Sequence, residues 1–343
     1  MLVAKKSRAL IAAFVLLLAG GAALAANYSV IKTLPIGGEG RWDYITVDPA
    51  AKVVYVGRST YTQAIDAQTG KVVGTIKDTN GVHGVALAPD ANRGFTSNGR
   101  GNNVTIFDLK DFKTIGTIET GKNPDAIIYE PLTKTIITFN GRSDDCTVID
   151  ASAEPGSKAK ATIALGGKPE SAASDGAGHV YVNIEDKSEV VEIDTKDWKV
   201  TNRWKIEGGE EPSGLALDAA NHHLFLGCGG NNVMAILDTT SGKTLATLPI
   251  GKGVDACGFD PGAGEAFASC GDATLTVVKE TSPGKFEVTQ TVQTRRGART
   301  MCVDPTTHTI YLPTAEMEPS TGGGRPQAKP NTFMIVVVGQ ESK

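Results

Sequence analysis

The chain has 343 residues and carries 34 Lys plus Arg against 38 Asp plus Glu, a formal net charge of −4 at pH 7. This mild acidity gives no global case for nucleic acid as a partner. Forty glycines, and apolar residues spread in short runs of Val, Ile, Leu and Ala without helical periodicity, argue against a mainly helical fold and for an all-β chain with many turns.

In chain order, the first segment differs from everything after it. Lys5, Lys6 and Arg8 precede the apolar run Ala9 to Ala19, followed by Ala23-Leu24-Ala25. A charged start, an apolar centre and a small-x-small site predict an export signal over residues 1–25, cleaved near Ala25 or Ala26, and hence a periplasmic or secreted protein. The apolar run is short for spanning a bilayer, so no stable membrane insertion is expected. Removing the signal leaves 31 Lys plus Arg against 38 Asp plus Glu.

The remainder, residues 26–343, is a repeat. Aligning the first strand of each unit on its closing residue gives Asp48, Ala88, Glu130, Asp175, Asp218, Asp260 and Asp304, separated by 40, 42, 45, 43, 42 and 44 residues. Each unit reads as a strand, a tight turn such as DPAAK or DPGAG, a second strand, a polar loop, a third strand ending near Ile-Asp, a Thr-Gly-Lys-type turn and a fourth strand. Four strands per 40 to 45 residues predict a seven-bladed β-propeller as a single domain. Its blades fall at about 38–79, 80–121, 122–166, 167–208, 209–251, 252–295 and 296–338. The seventh unit stops at FMIVVV without a fourth strand, while YSVIKTLPIG, residues 28–37, matches the fourth-strand pattern of TLATLPIG. The N-terminal strand is therefore predicted to complete the last blade and close the ring.

Phe95-Thr96-Ser97-Asn98, the run Asn102 to Asp108, Tyr55-Val56-Gly57 and Tyr181-Val182-Asn183 resemble the Tyr-Val-Thr-Asn (YVTN) repeat propellers of bacteria, the YncE-like family. The resemblance spans the whole chain after the signal. It implies the fold, but such repeats serve lactonases, electron-transfer subunits, surface-layer proteins and scaffolds alike. Nucleic-acid binding, annotated for YncE-like relatives, is disfavoured by the acidic ring below and by few aromatics for stacking apart from Trp42.

In a propeller the loops from fourth strand to next blade and from second to third strand share one face. Two rings are expected there. The inner one is the residue opening each first strand: Asp43, His83, Asp125, Glu170, Ser213, Asp255 and Arg299. The second is the residue closing each second strand: Arg58, Asn98, Asn140, Ile184, Cys228, Cys270 and Thr314, with Arg100, Arg142, Asp186 and Asp272 just behind. Of ten arginines after the signal, eight map to this face (Arg41, Arg58, Arg100, Arg142, Arg295, Arg296, Arg299 and Arg325), while Arg93 and Arg203 do not. A rigid fork of donors suits carboxylate or phosphate, so the expected ligand is an anionic small molecule, peptide or protein surface, bound without catalysis. The competing reading is that these arginines neutralise the ring's own acids. Another alternative is a lactonase-like or metal-dependent hydrolase built on His83 and the acidic ring. No cofactor is expected, although oxygen ligands around the channel suit calcium, and His83 would add a transition metal.

His179, His222, His223 and His308 are expected as exposed turn residues on the opposite face. The loop Pro313 to Asn331, rich in Pro and Gly, reads either as a lid carrying Glu316, Glu318 and Arg325 or as a disordered excursion. The five cysteines show no CxxC and no zinc spacing. Apolar packing of free thiols is the default expectation, and the alternative is a Cys257–Cys302 disulfide across the interface of blades 6 and 7.

Overall fold

The computed structural model describes residues 27–318 and 327–340. The segment 1–25 expected as an export signal lies outside them, as does Arg325. The described residues form seven four-stranded antiparallel sheets arranged as a seven-bladed β-propeller, with two single 3-10 turns and no α-helix. Among the described residues no helix is long and apolar enough to cross a membrane.

Blades 1 to 6 each use four consecutive strands, as in blade 1: Ile45–Asp48, Val53–Arg58, Tyr61–Asp66 and Val72–Ile76. Blade 7 draws three strands from the C-terminal end, Cys302–Asp304, Thr309–Thr314 and Met334–Gln340, and its outermost from the N-terminus, Tyr28–Pro35. That closing strand pairs with Met334–Gln340 from Tyr28 opposite Gln340 to Pro35 opposite Met334. Its first residue reaches beyond its own blade. The Tyr28 hydroxyl donates to Glu265 Oε2 at 2.9 Å, its ring meets Phe267 edge-on at 5.2 Å, and Gln290 bonds its backbone on both sides.

Burial explains the residue patterns. Second strands such as VVYVGR and EAFASC are buried at every position, because both faces of a mid-blade strand are covered by neighbouring blades. Fourth strands such as TLATLP alternate, since they form the outer edge and bury only one face. Between blades the cores are aromatic and aliphatic: Tyr55 against Phe107 at 5.8 Å, and Phe225 stacked on Phe259 at 5.6 Å. The recurring aspartates that close first and third strands are turn formers. Asp66, Asp108, Asp194 and Asp238 each accept backbone N–H groups two and three residues on.

The histidines at that end are not uniformly exposed. His223 is buried against Phe286, edge-on at 5.2 Å, because the long hairpin of blade 6 reaches over it. His308 bonds Asp260 across the blade boundary at 2.7 Å, and His179 bonds Asp175 at 2.8 Å.

All five cysteines are free thiols. The pairing of Cys257 with Cys302 fails for a geometric reason. Offset by one residue on their strands, they face away from the shared interface, Cys257 packing with blade 5 and Cys302 with blade 1. Burial pushes the thiols up, Cys146, Cys228 and Cys270 to about 12, so they are poor nucleophiles.

Candidate functional site

The inner-ring residues occupy the second position of the first strand in blades 2 to 6, as in Val82-His83, Pro124-Asp125, Pro169-Glu170 and Val254-Asp255. In each of these blades the pairing with the second strand shifts register immediately afterwards, for example between Val82 and Val85 and between Pro124 and Ile127. A bulge frees the ring residue from the ladder and re-aims its side chain. The residue before it is buried and anchors the strand.

Six of the seven ring residues converge on the channel mouth. His83 Nδ1 lies 2.7 Å from Asp43 Oδ2 and 3.3 Å from Asp125 Oδ1. Arg299 binds Asp255 Oδ2 at 2.6 Å and approaches Asp43 Oδ1 at 3.9 Å. Glu170 is held at 3.0 Å by Lys168, which also pairs with Glu185. Ser213 departs from the ring: its hydroxyl donates to the Val254 carbonyl at 3.0 Å and is buried.

Sequence reasoning missed Lys168, Glu185 and above all Tyr44. The phenol of Tyr44 donates to the Glu170 carbonyl at 3.3 Å, and burial, reinforced by the charges of Glu170, Asp125, Asp43 and Asp255, holds its pKa far above the usual phenol value. It roofs a cavity of about 140 Å³ in the channel, lined by Val85, Ile127, Leu215, Ala256 and Met301 among others. The one available signal was its place next to Asp43, where the other blades have Gly84, Ala126, Ser171, Gly214, Ala256 and Thr300.

The electrostatics are those of an acid-rich cluster. Burial opposes the His83 imidazolium, but the Asp43 hydrogen bond and the charges of Asp125, Asp43 and Glu170 outweigh it and lift the pKa to about 9. Burial pushes the Asp255 carboxyl up to about 7 against the opposing pull of Arg299. Burial also raises Asp125 and Glu170, the latter despite Lys168. A histidine protonated at neutral pH and pinned between two carboxylates is a poor general base, so the ring as it stands has no free catalytic base at His83. Asp43, His83 and Asp125 do offer three donor atoms all within 4.8 Å of one another, the one group among the described residues able to hold a metal.

The second expected ring does not face the mouth. Arg58, Asn98, Asn140, Ile184, Cys228, Cys270 and Thr314 are all completely buried. The residue closing a second strand points between blades, beneath the crossover arriving from the preceding blade, and braces that crossover. Arg58 donates to the carbonyls of Glu39 at 2.8 Å and of Gly37 and Gly40 at 3.3 Å, and to Gln63 Oε1 at 2.7 Å, with its guanidinium 3.8 Å from the Phe333 ring centroid. Asn98 bonds Thr96, Asn103 and Thr105, and Thr105 holds the Asp78 carbonyl of the crossover. Asn140 repeats this network with Thr138, Asp145 and Thr147. Arg58, Asn98 and Asn140 are thus closed to a ligand. The readable signal was the repeated spacing Thr-x-Asn with Thr seven residues after the Asn, which is cross-strand pairing within one hairpin.

Arg100 and Arg142 stand on the exposed loop tips just beyond, joined on this face by Arg41, Arg295 and Arg296, which are also exposed. Among the described residues none of these five forms an ion pair, whereas the two arginines away from this face do: Arg93 with Glu154 at 3.0 Å and Arg203 with Glu189 at 2.9 Å. The base of the long loop is ordered, with Met317 bridged to Ala328 and Lys329 paired to Glu316 at 3.1 Å. Glu318, exposed, donates its backbone N–H to the Gln327 carbonyl. No protein-family model and no curated protein matches this chain.

Proposed function

We propose that this is an exported, non-catalytic β-propeller of YncE-like, YVTN-repeat type that binds an anionic ligand or partner surface at the arginine rim of one face. The observation that carries the reading is a contrast among the described residues: Arg93, Arg203 and Arg299 meet carboxylates, while Arg41, Arg100, Arg142, Arg295 and Arg296 are exposed without an ion pair on the loop face. A guanidinium without an internal partner keeps its fork of donors for an external carboxylate or phosphate. The anion belongs on the rim, not in the centre, where acids outnumber cations. Lys5, Lys6, Arg8 and the following apolar run support export to the periplasm or beyond. Nucleic acid is the poorer partner, because Trp42 is committed to Phe333 at 5.6 Å and offers no free stacking platform.

The test uses three fluorescein-labelled probes, a poly-glutamate peptide, a sulfated oligosaccharide and a single-stranded oligonucleotide, against the protein and its Arg100→Ala, Arg142→Ala, Arg295→Ala, Arg296→Ala quadruple variant. The peptide or oligosaccharide should bind the parent, weaken with added salt, and lose at least about tenfold in the variant, whose melting should be unchanged. Equal binding by parent and variant overturns the reading, and preference for the oligonucleotide replaces it with the nucleic-acid one.

A further inference from the structure

We infer that Asp43, in the lead-in to the inner strand of blade 1, and His83 and Asp125, on the inner strands of blades 2 and 3, form a binding site for a first-row divalent transition ion, with Zn²⁺ as its best probe. This goes beyond the rim reading and does not depend on it. Ligands about 2.1 Å from a metal stand about 3.0 Å apart in octahedral and about 3.4 Å apart in tetrahedral geometry. His83 Nδ1 lies 2.7 Å and 3.3 Å from the two carboxylate oxygens, and all three atoms fall within 4.8 Å. An ion can enter with small side-chain adjustments. One imidazole among carboxylates suits a transition ion better than Ca²⁺, which takes six to eight oxygens.

Charge points the same way. Five acid side chains, Asp43, Asp125, Glu170, Glu185 and Asp255, gather here against the cations Arg299 and Lys168, and His83 exchanges its proton for the ion. Arg299 does not block the position, because its guanidinium is engaged by Asp255 at 2.6 Å and stays 3.9 Å from Asp43.

The backbone also fixes the histidine, independently of the acids. A Cβ at Gly99 would lie 2.6 Å from His83 Nε2 and 2.9 Å from its Cδ2, so only glycine lets the hairpin tip of blade 2 close over the ring. That contact holds the imidazole with Nδ1 toward the carboxylates, the orientation a ligand needs. The side chains of His83, Asp43 and Asp125 are 27%, 23% and 14% exposed, which leaves the remaining coordination positions open to water or to a ligand from the mouth.

The experiment is calorimetric titration of chelator-stripped protein with ZnCl₂, repeated with CaCl₂, and with CoCl₂ followed by visible absorption. One Zn²⁺ should bind per chain and tighter than Ca²⁺, with Co²⁺ giving ligand-field bands. His83→Ala and Asp125→Asn should weaken Zn²⁺ by more than about 100-fold, and Gly99→Ala, which displaces the imidazole without removing a ligand, by about tenfold. The rim variant Arg142→Ala should bind Zn²⁺ as the parent does. Absence of one-to-one binding overturns the site, as does Zn²⁺ affinity that survives His83→Ala in a variant with native circular dichroism, or Ca²⁺ binding as tightly as Zn²⁺. If His83→Ala does not fold, the Gly99→Ala shift decides alone: unchanged affinity there refutes the inference.

Discussion

Arg58 is the residue on which ligand binding and structural support make opposite predictions. Truncating Arg58→Ala removes a fully buried guanidinium and four hydrogen bonds. The Glu39 carbonyl keeps a partner, the Tyr61 hydroxyl at 2.7 Å, but Gln63 Oε1 and the carbonyls of Gly37 and Gly40 lose the Arg58 donor. An unsatisfied buried acceptor costs about 1–3 kcal/mol, and loss of the guanidinium over Phe333 adds up to about 2 kcal/mol. The guanidinium is itself desolvated, its pKa is lowered by burial, and its Nε has no hydrogen bond, so deleting it relieves part of that cost. The net expectation is a loss of about 2–4 kcal/mol. Arg58→Lys should recover less than half, because one ammonium cannot span carbonyls on both sides of the crossover. Urea denaturation followed by tryptophan fluorescence measures it, with binding of the acidic probes as control. An Arg58→Ala protein that unfolds within about 0.5 kcal/mol of the parent, or that keeps its stability and loses probe binding, refutes the bracing role.

Deleting Tyr28 to Pro35 leaves the last blade with three strands and an open edge, so thermal melting should drop sharply; Tyr28→Phe removes the hydroxyl that donates to Glu265 and accepts from Gln340, and should cost about 1–3 kcal/mol. An unchanged midpoint for the deletion would refute closure by this strand. Asn98→Ala should destabilise by about 1–3 kcal/mol, because the buried Thr96 hydroxyl loses its acceptor and the Thr105 and Asn103 side-chain oxygens lose the Asn98 donor, without altering rim binding. Metal-free protein should lose stability as pH rises from about 4 to about 9. The folded Asp255 holds its proton to about 7 while an unfolded aspartate releases it near 4, and the favourable His83 charge, fully present below the unfolded value near 6.5, is lost as pH passes about 9. A midpoint that climbs from pH 5 to pH 9 in chelator would contradict this.

The blade count, the ring closure by residues 28–35 and six of the seven inner-ring members were legible in the chain, because each rests on a repeat of period near 42 and on alternation or saturation of apolar residues within one strand. Position along a repeat tells which end of the blade a residue occupies. It does not tell which way the side chain turns. Arg58, Asn98 and Asn140 lie at the expected end, yet they point inward beneath a crossover that arrives from the preceding blade. The bulges that follow Val82 and Pro124 free His83 and Asp125 from the ladder and re-aim them at the mouth. Tyr44, which roofs the channel, gave no repeat signal, since it is the one bulky residue at a position otherwise held by small ones.

What residue order decides here is local: strands, turns and a seven-fold period, since strand alternation and the Asx turn depend on residues a few places apart. The meeting of Asp43, His83 and Asp125, and the separation of paired from unpaired arginines, depend on how three blades twist past one another and on bulges about 40 residues apart. Only the packed ring sets those distances, because each side chain's final direction is the lowest-energy answer to neighbours that the chain brings from elsewhere.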